Sequence, residues 1–166
     1  KGNKSIKSIT IERKEIQNTL GPLFSPLNPS GNTAKINSNA LALIIGVSNY
    51  DKTPAKALYA DNDAQTFYDF ANLKLGVPKT NIMELINEKA EESDILLAVK
   101  DWVVRSTKNG VSDIYLFFAG HGLASSDGDD MYLLPYDGSP DLLEETAILR
   151  EKLYKELYLA NPRSVT

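Results

Sequence analysis

Cysteine is absent from the 166 residues, which excludes a disulfide framework and a thiolate metal site built within this chain. Histidine is scarce as well: His121 is the only one, so imidazole chemistry has a single address. No apolar stretch approaches the ~18 residues that a membrane-spanning helix needs. No Lys/Arg-rich block offsets the net charge of −4, which argues against nucleic acid or an anionic membrane as partner. The chain opens on Lys1 and holds no signal-type apolar core, so it reads as a piece of something longer. Nothing in these absences specifies a compartment.

What remains is an ordinary soluble-domain composition, 42% hydrophobic and 24% charged, in a length that fits one domain with a sizeable core. Residues 1–39 stand apart. Ser5 to Arg13 has Ile6, Ile9 and Ile11 loosely placed for a short strand. Gly21-Pro22, Pro26 and Asn28-Pro29-Ser30-Gly31 then form a turn-rich stretch. This segment reads either as an arm or linker from an upstream region or as a disordered leader.

From Ala40 the pattern changes. Ala40 to Val47 is apolar without alternation, the mark of a strand buried on both faces. A helix capped by Asp61 or Asn62 follows, with a stripe of Ala64, Phe67, Tyr68, Ala71 and Leu75, closed by Gly76 and Pro78. Asn81 to Ile86 is a second strand. Ser93 or Asp94 caps a second helix whose inner face is Ile95, Val99, Trp102 and Val103, with Gly110 beyond its end. A third strand follows, with a near-continuous apolar segment from Ile114 to Phe118. Met131 to Leu134 predicts a short extended piece paired as a hairpin with residues just before it. A third helix is expected over Glu145 to Leu159, with Leu149, Leu153 and Leu157 four apart, stopped by Pro162. Arg163 to Thr166 opens a fourth strand. Strands alternating with helices in this order require an α/β fold with a mostly parallel sheet flanked by helices.

The third strand runs into Ala119-Gly120-His121-Gly122. The carboxyl edge of such a strand is where open α/β sheets keep their binding and catalytic groups. Gly-His-Gly alone is compatible with a turn histidine bonded to nearby backbone and with a catalytic imidazole. Asp63 is compatible with a first-turn carboxylate favoured by the helix dipole. Asp127-Gly128-Asp129-Asp130 clusters carboxylates where a hairpin turn is expected, which suits an exposed acidic turn; the ligands of a full calcium loop are lacking. Tyr136-Asp137 follows a strand end and suits a cleft wall. A flavodoxin-like binder needs a Gly-rich phosphate loop after the first strand, and Ser48-Asn49-Tyr50-Asp51 is not one.

Four motifs stand in order: Ala42-Leu43-Ile44-Ile45-Gly46-Val47-Ser48-Asn49-Tyr50, Ala60-Asp61-Asn62-Asp63-Ala64, Phe117-Phe118-Ala119-Gly120-His121-Gly122 and Tyr132-Leu133-Leu134-Pro135-Tyr136-Asp137. Together they resemble the caspase-like cysteine peptidases, in particular bacterial members and metacaspases, over Ala40 to Thr166. The resemblance implies a caspase-like (caspase–haemoglobinase) fold and a p20-type domain over 40–166. It implies peptide-bond hydrolysis by a His–Cys dyad, with His121 as acid/base and Gly122 as an oxyanion-hole donor. Asp63 and Ala119 would line the pocket for the residue before the cut, and Asp63 would select Arg or Lys. The implied partners are a protein or peptide substrate. No cofactor is implied, although calcium activates some metacaspases.

The family's cysteine sits at the end of the fourth strand, in an Asp-x-Cys-x-Gly type segment. This chain stops as that strand begins. The expectation is a fold cut short before its nucleophile-bearing strand, completed by a C-terminal part of the same protein. The alternative is a non-catalytic relative acting as a regulatory or interaction module. The layout suits thiol chemistry, because a thiolate attacks and an imidazole with an ordinary pKa near ~6.5 exchanges the proton. Flanking glycines would let the backbone turn tightly beside the scissile carbonyl.

Overall fold

The computed structural model describes residues 27–166; the strand expected over Ser5 to Arg13 lies outside them. The fold is α/β, with a mostly parallel central sheet flanked by helices. Strand β1 spans Ala40–Gly46 and all seven of its residues are buried. The reason is period-two geometry between two apolar layers. Leu41, Leu43 and Ile45 pack into one core, whereas Ala40, Ala42 and Ile44 pack into the other. Each buried Leu or Ile contributes about 1.5–3 kcal/mol relative to exposure.

Helix α1 (Ala60–Leu73) covers the second core through Ala64, Phe67, Tyr68 and Ala71. Strand β2 (Ile82–Ile86) pairs in parallel with β1. Helix α2 begins as an α-helix over Glu92–Leu97, widens to a π-helix over Ala98–Val103 and returns to α over Val104–Ser106. Its Ile95, Val99 and Val103 are buried in the first core, with Trp102 packed against them. Strand β3 (Asp113–Ala119) pairs in parallel with β1 on the side away from β2.

A hairpin follows. Strand β4 (Gly122–Ala124) runs antiparallel to β5 (Met131–Leu133), as the sequence predicts. The single helix expected over Glu145 to Leu159 is broken. It is a short α3 (Leu143–Thr146), a strand β6 (Ile148–Leu149) and a helix α4 (Arg150–Leu159). Pairing of Ile148 and Leu149 with Leu133 and Tyr132 of β5 overrides the helical pattern. The Thr146 hydroxyl, which donates to the Leu142 carbonyl at 2.7 Å and accepts the Ser139 N–H at 2.9 Å, holds the end of α3. Leu153 and Leu157 are buried as expected, but Leu149 belongs to the small sheet.

Strand β7 (Ser164–Val165) pairs in parallel with β3, so the central sheet has the order β2-β1-β3-β7. The chain steps outward from β1 to β2, then back across β1 to β3. That reversal makes the gap between the carboxyl ends of β1 and β3 the topological switch point, where α/β sheets place ligands.

β7 pairs with Asp113 and Ile114, and the Leu116 N–H continues the ladder to the Thr166 carbonyl at 2.8 Å.

The helix starts need correction. Neither α1 nor α2 is capped by its own predicted residue. Tyr59 occupies the cap position of α1 in a left-handed conformation with no side-chain cap. Instead the Ser48 hydroxyl, from the loop after β1, accepts the Asp61 N–H at 2.9 Å. Likewise Asp137, from beyond β5, accepts the Glu92 N–H at 2.8 Å at the start of α2.

The last part of the arm docks on the domain. Ala34 and Asn37 donate their N–H groups to the Leu73 and Gly76 carbonyls at 2.7 and 2.8 Å. Among the described residues no helix is long and apolar enough to cross a membrane.

Candidate active site

β1 and β3 end level with each other, Gly46 opposite Ala119. One further bond, from the Val47 N–H to the Ala119 carbonyl at 2.9 Å, carries the ladder past the strand ends. Beyond it the chains diverge, one into Ser48-Asn49-Tyr50 and the other into Gly120-His121-Gly122. The divergence opens the switch point and puts His121 in it.

His121 is held on three sides. Its N–H donates to the Tyr50 hydroxyl at 2.7 Å, and its carbonyl accepts the Leu134 N–H at 3.0 Å. Its ring stacks on that of Tyr50, with centroids 5.0 Å apart and planes 19° apart. The imidazole Nε2 is buried and has no hydrogen-bond partner among the described residues. An unpartnered buried polar atom costs about 1–3 kcal/mol, so folding alone does not account for this nitrogen.

The two glycines differ, and neither has a positive φ. A methyl group on Gly120 would lie 3.0 Å from the Tyr50 hydroxyl and 3.0 Å from the Phe118 ring. On Gly122 it would meet only ordinary contacts, Met131 Sδ at 3.6 Å and the Tyr132 carbonyl at 3.8 Å. The expected reason for glycine, freedom to turn, is therefore replaced by close approach at Gly120 alone. What distinguishes Gly122 is the pairing of its backbone. Because the His121 carbonyl is bonded to Leu134, the alternation of an antiparallel ladder makes Gly122 and Leu133 a non-hydrogen-bonded pair. The exposed Gly122 thus turns its N–H away from β5.

Ala119 is the half-buried last residue of β3, adjoining this turn. Asp63 lies in the first turn of α1, a helix that opens on the same edge of the sheet. It is exposed, and its N–H bonds the Tyr59 carbonyl at 2.8 Å. No hydrogen bond or ion pair links Asp63 to His121, Gly122 or Ala119 among the described residues. Ala119, His121 and Gly122 thus lie together at the end of β3, and Asp63 lies exposed in the first turn of α1.

Several supporting residues carry no functional signal of their own in the sequence. Asn87, itself left-handed at φ 48°, accepts the Ser48 and Asn49 N–H groups at 2.8 and 3.3 Å. The Asp51 N–H reaches the Tyr136 carbonyl at 2.9 Å. These bonds fix the loop that carries Tyr50. Tyr50 stood in the first motif, but nothing in the pattern tied it to a histidine 71 residues away. Burial raises the pKa of its phenol, partly offset by the His121 N–H, so the hydroxyl stays protonated.

The acidic turn is internally satisfied. The Asp127 carboxylate accepts the Ser125 hydroxyl at 2.5 Å and the Asp129 N–H at 3.2 Å, which holds its pKa below the usual carboxylate range. Among the described residues no group of three His, Cys, Asp or Glu is arranged to hold a metal ion.

Comparison with known proteins is consistent with this geometry. The caspase-domain family model matches residues 39–158. No curated protein matches. Among solved structures, protein GSU0716 from Geobacter sulfurreducens superposes with a TM-score of 0.54 at 19% identity. That match covers 76% of this chain and 48% of the other, so the chain spans about half the length of the structure it resembles. At that identity the likeness speaks for the fold. A caspase-domain match over 39–158, on a parallel sheet that delivers one histidine to its switch point, places the chain in the caspase-domain peptidase family.

Proposed function

We propose that the protein is a cysteine-type endopeptidase that cuts after Arg or Lys, with His121 exchanging protons with a cysteine thiol supplied from outside these residues. The observation that carries the reading is the His121 Nε2, held at the switch point with its bonding capacity unused. The thiolate attacks the scissile carbonyl carbon, and the imidazole has taken its proton. The imidazolium then protonates the leaving amine, and water hydrolyses the thioester with the same imidazole as base.

Gly122 donates its N–H to the oxyanion of the tetrahedral intermediates. A donor of this kind contributes about 10²–10³ in turnover. Asp63 pairs with the cationic side chain of the substrate, beside a pocket wall that includes Ala119. The second reading, a non-catalytic module, is favoured by one observation, the absence of cysteine.

The full encoded protein, assayed with fluorogenic peptides ending in Arg, Lys or Asp, tests both. We expect turnover of the Arg and Lys peptides, its loss in His121→Ala with an unchanged thermal midpoint, and a raised KM for basic peptides in Asp63→Ala. Activity persisting in His121→Ala removes the catalytic assignment. No turnover of any peptide favours the non-catalytic module.

A further inference from the structure

Tyr50 is buried, 9% exposed, yet bears a hydroxyl. A buried tyrosine commonly needs one partner for that polar tip. Here one side chain makes two separate contacts with a single residue. The hydroxyl takes the His121 N–H, while the ring face lies against the imidazole. The first fixes the peptide that enters His121, the second the plane of its ring.

Two further features serve the same contact. Gly120 is the residue whose Cβ would crowd the Tyr50 hydroxyl, so a side chain there pushes the phenol away from the His121 N–H. The loop that carries Tyr50 is anchored at both sides of it, by Asn87 to Ser48 and Asn49 and by the Tyr136 carbonyl to Asp51. Tyr50 is therefore delivered from a fixed base rather than from a free loop.

We propose that Tyr50 is a positioning residue for His121: its ring sets the imidazole plane and its hydroxyl the preceding peptide, keeping Nε2 poised. The glycine before the histidine is selected by this contact. The proposal rests on His121 being the acid/base group, but its test does not depend on turnover. Misplacing a catalytic group by about 1 Å costs on the order of 10²-fold in rate, which sets the scale of the kinetic effect.

His121 is the only histidine of these 166 residues, and in the full encoded protein its imidazole proton NMR resonances are the ones lost in His121→Ala. In Tyr50→Leu we expect those resonances to lose the upfield displacement caused by the stacked ring. In Tyr50→Phe they stay in place, while the His121 amide proton moves upfield and exchanges faster with solvent. Gly120→Ala reproduces the amide change. In the full encoded protein, Tyr50→Leu lowers kcat by roughly 10²-fold with KM little changed. Imidazole resonances unmoved in a folded Tyr50→Leu overturn the proposal. If that variant does not fold, an unchanged His121 amide in both Tyr50→Phe and Gly120→Ala overturns it instead. Shifted resonances in a protein without turnover uphold Tyr50's role and count against the peptidase.

Discussion

Asp113 stands at the amino end of β3, opposite the end that delivers His121, and is buried. Arg163 pairs with both its oxygens, Ser164 donates to Oδ1 at 2.7 Å and Asn37 to Oδ2 at 3.2 Å. The Arg163 guanidinium, with help from Ser164 and Asn37, holds the carboxyl below the usual carboxylate range. A depressed folded-state pKa contributes stability above the unfolded value near ~3.9, and that stability disappears as pH falls through the folded value. Asp113→Asn is therefore expected to lower stability by about 1–3 kcal/mol at pH 7, with the gap to wild type narrowing as pH falls below the unfolded value near ~3.9. Thermal melts from pH 7 to 2 check this; a gap independent of pH contradicts it. At this scale the sequence was only partly legible. His121 stood out by being alone, whereas Asp113, just before an apolar run, owes its role to partners 50, 51 and 76 residues away.

Elements were legible where the pattern is local. β1, α1, β2 and β3 fall within a few residues of the ranges that apolar periodicity predicts. Their caps were not, because Ser48 and Asp137 reach the helix starts across the sheet edge. The expected third helix failed because a two-residue strand, Ile148–Leu149, obtains backbone partners from β5 that no helical stripe reveals. Gly76 shows an element boundary that local chemistry does control. It has φ +70°, and a Cβ there would lie 2.3 Å from the Lys35 carbonyl oxygen. Gly76→Ala should then cost at least about 1–2 kcal/mol from the left-handed backbone alone, and it should loosen the docked arm. We expect a lower thermal midpoint and faster exchange of the Asn37 amide, which bonds the Gly76 carbonyl. An unchanged midpoint contradicts the close approach.

In the whole molecule, the strand order turns separate motifs into one site. The loop after β1 carries Tyr50 and the turn after β3 carries His121, and the reversal of strand order makes them neighbours. The family resemblance identified that edge because its motifs sit at strand ends. It could not reveal that Tyr50 bonds to and stacks on His121, or that Asn87 fixes the loop carrying Tyr50.

The proposed chemistry rests on a thiolate meeting His121 at that edge. Intact-protein mass spectrometry of the full encoded protein, treated with an arginyl chloromethyl ketone, reads this out. We predict one covalent adduct, mapped to a cysteine outside these 166 residues and formed far more slowly in His121→Ala. No adduct, or one formed equally fast without His121, contradicts the assignment.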